Sequence, residues 1–473
     1  TLASISQCGK QAGHTPLAVA ALYNANRGDV ARRAYGGELE VIEADQLASR
    51  LMAQCTLQPG LWTIYWELFS LNQDNALYVR ELDVEHVTDI GQARLACPEA
   101  VVIGVIPSKT REPILNPPSD MKINSGDALI FIAKHFADCR LADVVAPASI
   151  AQISGWQPVA SEIETVLILG WSRKVPKVLA ELLSYEQQLK IDVASITPVS
   201  EREISIDSVP GAQQAGSVRQ IEINFMDPDL LANIHPENYD AVLMIARERM
   251  GDEAIADAAT LSAYLTIDTL LTGAAGPHVV AEVMEEENEP LFDAERCDAI
   301  VSPMVVSYIL SQVALEPQLG LIFQELTQSF GTTILFRSPE PRTEKADCRF
   351  SELAEQAAAR RETAIGVVTS SAGTRQTHLN PGAVARGDCV EIELDIVLGF
   401  ESRPAAVISG GLGPPLRSRW AKPTLLLESL CGFNLGSTDQ VRARPSGEKS
   451  GPGVAQTVNM KGGKNDKNTP RAK

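Results

Sequence analysis

The strongest constraint on this chain is that it resembles itself. Leu51–Leu68 (LMAQCTLQPGLWTIYWEL) aligns without a gap on Ile309–Leu326 (ILSQVALEPQLGLIFQEL), at an offset of 258 (309 − 51). Seven of the 18 positions are identical: Gln54/Gln312, Leu57/Leu315, Pro59/Pro317, Leu61/Leu319, Ile64/Ile322, Glu67/Glu325 and Leu68/Leu326. Ordinary residue usage gives roughly one by chance. Further on, Leu115-Asn116-Pro117 and Gly126-Asp127 return as Leu379-Asn380-Pro381 and Gly387-Asp388, at offsets of 264 (379 − 115) and 261 (387 − 126). Ile103-Gly104 matches Ile365-Gly366, and Thr1-Leu2 pairs with Thr260-Leu261. Matches in the same order at a near-constant offset define a tandem duplication. The second copy opens at Val166, so the first is expected to lack about 94 residues at its front (260 − 166). A half-sheet so shortened exposes an unpaired edge, and the chain is expected to be a fragment of a longer protein.

The second copy alternates strands and helices. Val166–Leu169, Lys190–Thr197, Gln220–Phe225, Ala241–Ala246, Val279–Val283 and Ala299–Val301 read as strands, with helices over Val175–Leu183 and Glu253–Leu271. Ala241–Ala246 (AVLMIA) is apolar throughout, as a strand buried on both faces must be. Such alternation predicts a parallel sheet. Helices over Met304–Val313 and Gln318–Gln328 follow, separated by Pro317, which breaks the helix before it. Thr333–Phe336, Ala364–Val368 and Val390–Val397 then read as short β runs. The predicted fold is α/β: tandem Rossmann-like units, each with a helical connector and a small β-rich lobe, the first unit truncated. The expected boundaries are 1–148 for the first unit, 149–164 for a linker, 165–303 for the second Rossmann-like lobe, and 304–400 for its connector and β-rich lobe. A Gly/Pro/basic tail over 401–473 is expected to be disordered, because residues 440–473 carry eight Lys/Arg against two Asp/Glu with little to bury.

Composition narrows the function. The net charge of −19 argues against a nucleic-acid face, which needs clustered Lys/Arg. The densest apolar run, Ala100–Ile106, suits a buried strand and is too short to span a bilayer. The eight cysteines (Cys8, Cys55, Cys97, Cys139, Cys297, Cys348, Cys389 and Cys431) form no CxxC pair and read as reduced core residues. The six histidines are isolated, and neither HExxH nor GxSxG occurs, so no enzyme is expected. The turn after the first strand of the second lobe is Gly170-Trp171-Ser172-Arg173-Lys174. Dinucleotide binding asks for GxGxxG, so that backbone can approach a pyrophosphate. Gly170 is the one remnant, and no NAD is expected. Asp227, Asp252, Glu253, Asp257, Glu285 and Glu286 fall at or beyond predicted strand ends, where open α/β sheets bind ligands; oxygen-rich groups of this kind are candidates for Ca²⁺.

Four stretches resemble the Castor/Pollux family of ion channels: Arg50–Leu68, Ile114–Ala133 (ILNPPSDMKINSGDALIFIA), Ile168–Lys174 (ILGWSRK) and Val199–Glu203 (VSERE). The resemblance covers roughly residues 1–340 and weakens towards 400. It implies two RCK domains (regulators of potassium conductance, TrkA-like in fold) that follow transmembrane helices and assemble from four subunits into a ring beneath the pore. It implies a gating region on the cytosolic side of a membrane protein, with the pore and most of the first lobe preceding Thr1. It also implies Ca²⁺ as a ligand, without matching individual acids to a site. The alternatives are a TrkA-like peripheral nucleotide-binding subunit of a potassium uptake system and, less favoured, a Rossmann oxidoreductase.

Overall fold

The computed structural model describes residues 4–5, 7, 9, 15–23, 27–70, 75–81, 87–142, 163–185, 189–214, 217–247, 253–271, 276–294, 296–328, 331–337, 350–371, 374–380 and 392–400. The expected tail, nearly all of the expected linker, and Cys8, Cys348, Cys389 and Cys431 lie outside them.

The first unit runs β1 (Ala18–Leu22), α1 (Gly28–Tyr35), β2 (Leu39–Glu43), α2 (Ala44–Leu57), α3 (Leu61–Phe69), β3 (Ala76–Glu81), α4 (Ile90–Leu95), β4 (Ala100–Ile106), β5 (Ile114–Leu115) and β6 (Ala128–Ala133). The second runs β7 (Thr165–Leu169), α5 (Val175–Tyr185), β8 (Lys190–Ser195), α6 (Val199–Asp207), β9 (Val218–Glu222), α7 (Pro228–Ala232), β10 (Ala241–Met244), α8 (Glu253–Leu270), β11 (His278–Val283) and β12 (Cys297–Val301). Its connector and β-rich lobe are α9 (Ser302–Leu315), α10 (Leu319–Leu326), β13 (Thr332–Arg337), α11 (Phe350–Ala359), β14 (Thr363–Ser371), β15 (Thr374–Leu379) and β16 (Ile392–Phe400).

β7 to β12 form one parallel sheet in the order β12-β11-β10-β7-β8-β9. Read from β9, this is the 3-2-1-4-5-6 order of a doubly wound Rossmann sheet, whose direction reverses between β7 and β10. β7 and β10 are central, and their apolar runs are buried because helices cover both faces. The third strand starts and stops earlier than its apolar run suggests: it ends at Glu222, while Phe225 packs in the core beyond it.

The duplication is visible element by element. β1 and β2 pair in parallel, as β11 and β12 do. α2 and α9 begin and end at an offset of 258 (302 − 44 and 315 − 57), and α3 and α10 begin at the same offset. The two β-rich sheets have matching antiparallel orders, β3-β6-β4-β5 and β13-β16-β14-β15. Each carries a register shift just before a glycine, Gly104 in β4 and Gly366 in β14. A Cβ would stand 2.7 Å from the Ile114 carbonyl oxygen at Gly104 and 2.5 Å from that of His378 at Gly366, so both bulges require glycine. The repeated Leu-Asn also has a cause. Asn116 and Asn380 adopt left-handed backbone (φ 48° and 40°), which asparagine tolerates. Their N–H groups bond the carbonyls of Ile103 and Ile365, each at 2.8 Å.

The two units grip each other reciprocally. Gln54 Nε2 donates to the Thr327 carbonyl at 3.2 Å, and its counterpart Gln312 donates to Phe69, the counterpart of Thr327 (327 − 69 = 258), at 2.5 Å. Asn116 Nδ2 reaches the Arg361 carbonyl (2.9 Å), and Asn380 Nδ2 reaches that of Glu99 (3.0 Å), where 361 − 99 = 262. The Phe69 and Phe323 rings meet edge-on at 5.2 Å. The largest hydrophobic cluster includes α2, α3, α5, α9, α10 and β7, so the units share one core. Trp62 and Tyr65 are buried in it, while Trp66 packs on Tyr308.

Candidate functional site

Ligands of doubly wound sheets bind beyond the carboxyl ends of the strands where strand order reverses. Here that place is the turn after β7. Gly170 has φ +104°, and a Cβ there would lie 2.3 Å from the Ile245 carbonyl oxygen, so the close approach of β10 demands this glycine. Beyond it the turn is filled by side chains. Trp171 is half-buried, with the Arg202 guanidinium carbon 5.8 Å from its ring centre. Ser172 is buried and its Oγ accepts the Lys174 N–H at 3.2 Å.

Lys174, just before α5, is turned into the protein. Its Nζ lies 2.6 Å from Oε1 of Glu282, a fully buried residue in the otherwise apolar or half-buried strand β11. Ser302 Oγ, from the first residue of α9, donates to the same oxygen at 2.7 Å, and the Ala246 N–H donates to Oε2 at 3.2 Å. Burying a carboxylate is costly without a counter-charge and further donors, and both are supplied. The outer side of the turn holds the first unit. Arg173 Nε meets Oδ2 of Asp45 at 2.6 Å, and Lys177 Nζ lies 3.7 Å from the same oxygen. Asp45 is buried near the N-terminus of α2. Glu181 of α5 accepts Gln46 (2.8 Å) and Arg50 (3.3 Å) from α2, and burial pushes its carboxyl up from the ordinary range. The turn therefore contacts the N-terminal end of α2 directly, through Asp45, and is linked to that of α9 through Glu282 and Ser302.

Two further features bear on nucleotides. A dinucleotide site uses an acid about 20 residues past the glycines to hold the ribose. Here β8 ends at Ser195, whose Oγ accepts the Thr197 N–H. Arg202 is fully buried, donates to the Val193 and Ile221 carbonyls, and is lowered in pKa by desolvation.

The acids singled out in the sequence have varied positions. Asp227 caps α7, its Oδ1 accepting the Asp229 and Leu230 N–H groups at 3.1 and 3.3 Å. Glu253 is exposed at the start of α8, and Asp252 lies outside the described residues. Asp257 is buried, and its carboxylate accepts the Met284 and Glu285 N–H groups (2.8 and 2.9 Å) and Asn288 Nδ2 (2.9 Å). Asn288 also reaches Glu285 at 3.2 Å. Glu286 lies in the short turn Glu286–Leu291, where burial and then Glu286 raise the Glu289 carboxyl. Asp257 and Glu285 thus come together around Asn288, with N–H donors rather than oxygens completing the group. Among the described residues no three His, Cys, Asp or Glu side chains gather as a cation site.

Cys55, Cys97, Cys139 and Cys297 are buried free thiols, as expected of reduced core residues. Burial pushes Cys97 up to about 11 and Cys139 to about 12, which leaves both protonated and unreactive at neutral pH. His278 Nε2 lies 3.0 Å from the Cys55 carbonyl and 3.4 Å from Asp298, a contact between α2 and the second lobe. The sequence reading missed Glu282 and Asp45. The available signal was a glutamate inside an apolar strand (HVVAEV) and an aspartate in the first turn of a helix otherwise destined for the core.

This architecture is a duplicated α/β unit built around a Rossmann-like parallel sheet. It superposes on the human SLO3 gating ring with a TM-score of 0.62 at 12% identity, over 82% of this chain and 81% of that one. Residues 45–147 match the family model described as Castor and Pollux, part of voltage-gated ion channel. The chain is 24% identical over 376 residues to the probable ion channel POLLUX of Oryza sativa subsp. japonica, covering 70% of this chain and 38% of that protein. It is 23% identical over 418 residues to the ion channel CASTOR of Lotus japonicus, covering 78% and 47%. The chain is Castor/Pollux-like and spans less than half the length of these two relatives.

Proposed function

We propose that this chain is the cytosolic gating region of a Castor/Pollux-like cation channel, which couples ligand binding to pore opening. One observation carries this reading: the turn at the strand-order reversal is bonded both to α2, through Asp45, and to α9, through Ser302 and Glu282. A displacement there acts on both connectors, and through the reciprocal amide contacts on both units. A ligand shifts such an equilibrium only by its differential affinity for the two states. The likeness to a gating ring supports assembly of four copies into a ring below a pore. No helix among the described residues is long and apolar enough to cross a membrane, in keeping with a role beside the pore rather than within it.

For the ligand, the filled turn and the missing ribose acid speak against a nucleotide. A divalent cation is the class that the family resemblance suggests. The test measures melting of the whole chain with Ca²⁺, Mg²⁺, NAD and ATP, alongside its mass by light scattering. A ligand that binds only the folded state raises the melting temperature by mass action. The gating reading expects a tetramer, a response to Ca²⁺ exceeding that to Mg²⁺, and none to nucleotides. A clear rise with NAD or ATP at micromolar concentration would favour the TrkA-like uptake-subunit reading instead.

A further inference from the structure

Glu282 is the one charged residue of β11, and nothing in an apolar parallel strand explains it. Its surroundings do. Three donors converge on one carboxylate, from three different strand ends. Lys174 comes from the turn after β7, Ala246 from the residues after β10, and Ser302 from the start of α9 after β12. A cation, a hydroxyl and a backbone N–H at the carboxyl ends of a parallel sheet, beside the N-terminus of a helix, are what an oxyanion site consists of.

We propose that these groups form an oxyanion cradle whose anion the chain itself supplies. The Glu282 carboxylate is a tethered ligand. Free oxyanions are excluded from the native protein because the cradle is already filled. Once the tether is cut, the cradle accepts a small free carboxylate such as formate. Its filling by Glu282 holds Lys174, Ala246 and α9 in a fixed arrangement without any external ligand, so the second lobe acts as a strut rather than as a nucleotide sensor. This rests on the geometry of the second lobe alone and stands whether or not the chain gates a pore.

The test is chemical rescue in the full chain. Glu282→Ala removes the carboxylate and leaves the donors. Its melting temperature is expected to fall. Sodium formate should restore roughly half the loss or more along a saturating curve, as site binding to the folded state requires. Sodium chloride at equal ionic strength should not. Wild type should show no saturating response to formate, and Lys174→Met/Glu282→Ala should lose the rescue. If Glu282→Ala folds only in formate, the rescue is demonstrated directly. If it does not fold at all, Glu282→Gln decides, since it keeps the shape and removes the charge. The cradle predicts that Glu282→Gln melts below wild type. A Glu282→Gln variant as stable as wild type overturns the proposal, as does formate acting equally on wild type and Glu282→Ala.

Discussion

Gln312→Leu tests whether the duplicated halves are held by their reciprocal amides. The last carbonyls of a helix have no partner inside it. Phe69 ends α3, and its carbonyl is met by Gln312 Nε2 at 2.5 Å, with Gln312 only 4% exposed. Leucine fills similar space but donates nothing, and the Phe69 carbonyl is left dry. Loss of a hydrogen bond that strands a buried acceptor costs about 1–3 kcal/mol. The counterpart substitution, Gln54→Leu, removes the side-chain donor from two carbonyls, Thr327 and Gln328. It also removes the Gln54 oxygen from the Tyr65 hydroxyl, which retains the Leu326 carbonyl at 3.0 Å. On the same scale that is about 2–4 kcal/mol. Urea unfolding followed by tryptophan fluorescence reads both, because Trp62 and Trp66 lie on α3 and Trp66 contacts Tyr308 of α9. The midpoint should fall with the slope unchanged, which marks a change of stability rather than of compactness. The two substitutions act on one interface across the Phe69–Phe323 contact, so the double variant should depart from additivity. If Gln312→Leu stays within about 0.5 kcal/mol of wild type, as surface changes do, these amides do not staple the units and the reasoning fails.

Three more outcomes follow from the geometry. Gly170→Ala places a Cβ 2.3 Å from a carbonyl oxygen and should abolish soluble folding. Gly60→Ala, at φ +86° with nothing within 4 Å, should cost only about 1–2 kcal/mol of left-handed strain, measured by the same urea midpoints. Glu325 has its carboxyl pushed up to about 7 by burial, from an ordinary 4.5. A raised folded-state value means that the unfolded chain releases the proton first, so this group should lower stability progressively as pH rises from about 4.5 to 7. Glu325→Gln should flatten that part of the pH–stability curve, and an unchanged curve would exclude Glu325 as its source. Asp257→Asn turns one of two accepting oxygens into a donor facing N–H groups; it should cost about 2–3 kcal/mol with no ion added. A stability loss appearing only in the presence of Ca²⁺ would instead make Asp257 a metal ligand.

The parallel lobe could be read from sequence because burial on both faces leaves continuous apolar runs such as AVLMIA, and the connectors because the repeat fixed their length. The β-rich lobes were only partly visible. β15 (TRQTHL) is polar enough to pass for loop, and it is a strand because β14 supplies its hydrogen bonds. α9 starts earlier than its apolar pattern, because Ser302-Pro303 suits a helix N-terminus. The site was hidden for a different reason. Lys174 and Glu282 are 108 positions apart (282 − 174), and Asp45 and Arg173 are 128 apart (173 − 45). Charge pairs carry no periodicity, so only the fold brings them together. The strand-end rule pointed to Asp257 and Glu285, and the structure shows Asp257 engaged by N–H donors of its own chain.

The duplication also accounts for what the two copies do differently. On α2, Asp45, Gln46 and Arg50 reach the turn before α5 through Arg173 and α5 itself through Lys177 and Glu181. At the offset of 258, the matching positions on α9 are Pro303, Met304 and Tyr308, none of which carries charge. The same helix in the same place therefore makes ionic contacts in one copy and cannot in the other. The amide staples, which need only backbone acceptors at a helix end, survive in both copies because every helix offers those acceptors. Charge pairs require complementary partners and have diverged. The connector of the first unit is thus tied electrostatically to the turn of the second lobe, while that of the second unit is tied through Ser302 and the buried Glu282. Both ties converge on the five residues from Gly170 to Lys174, the first through Arg173 on Asp45 and the second through Lys174 on Glu282.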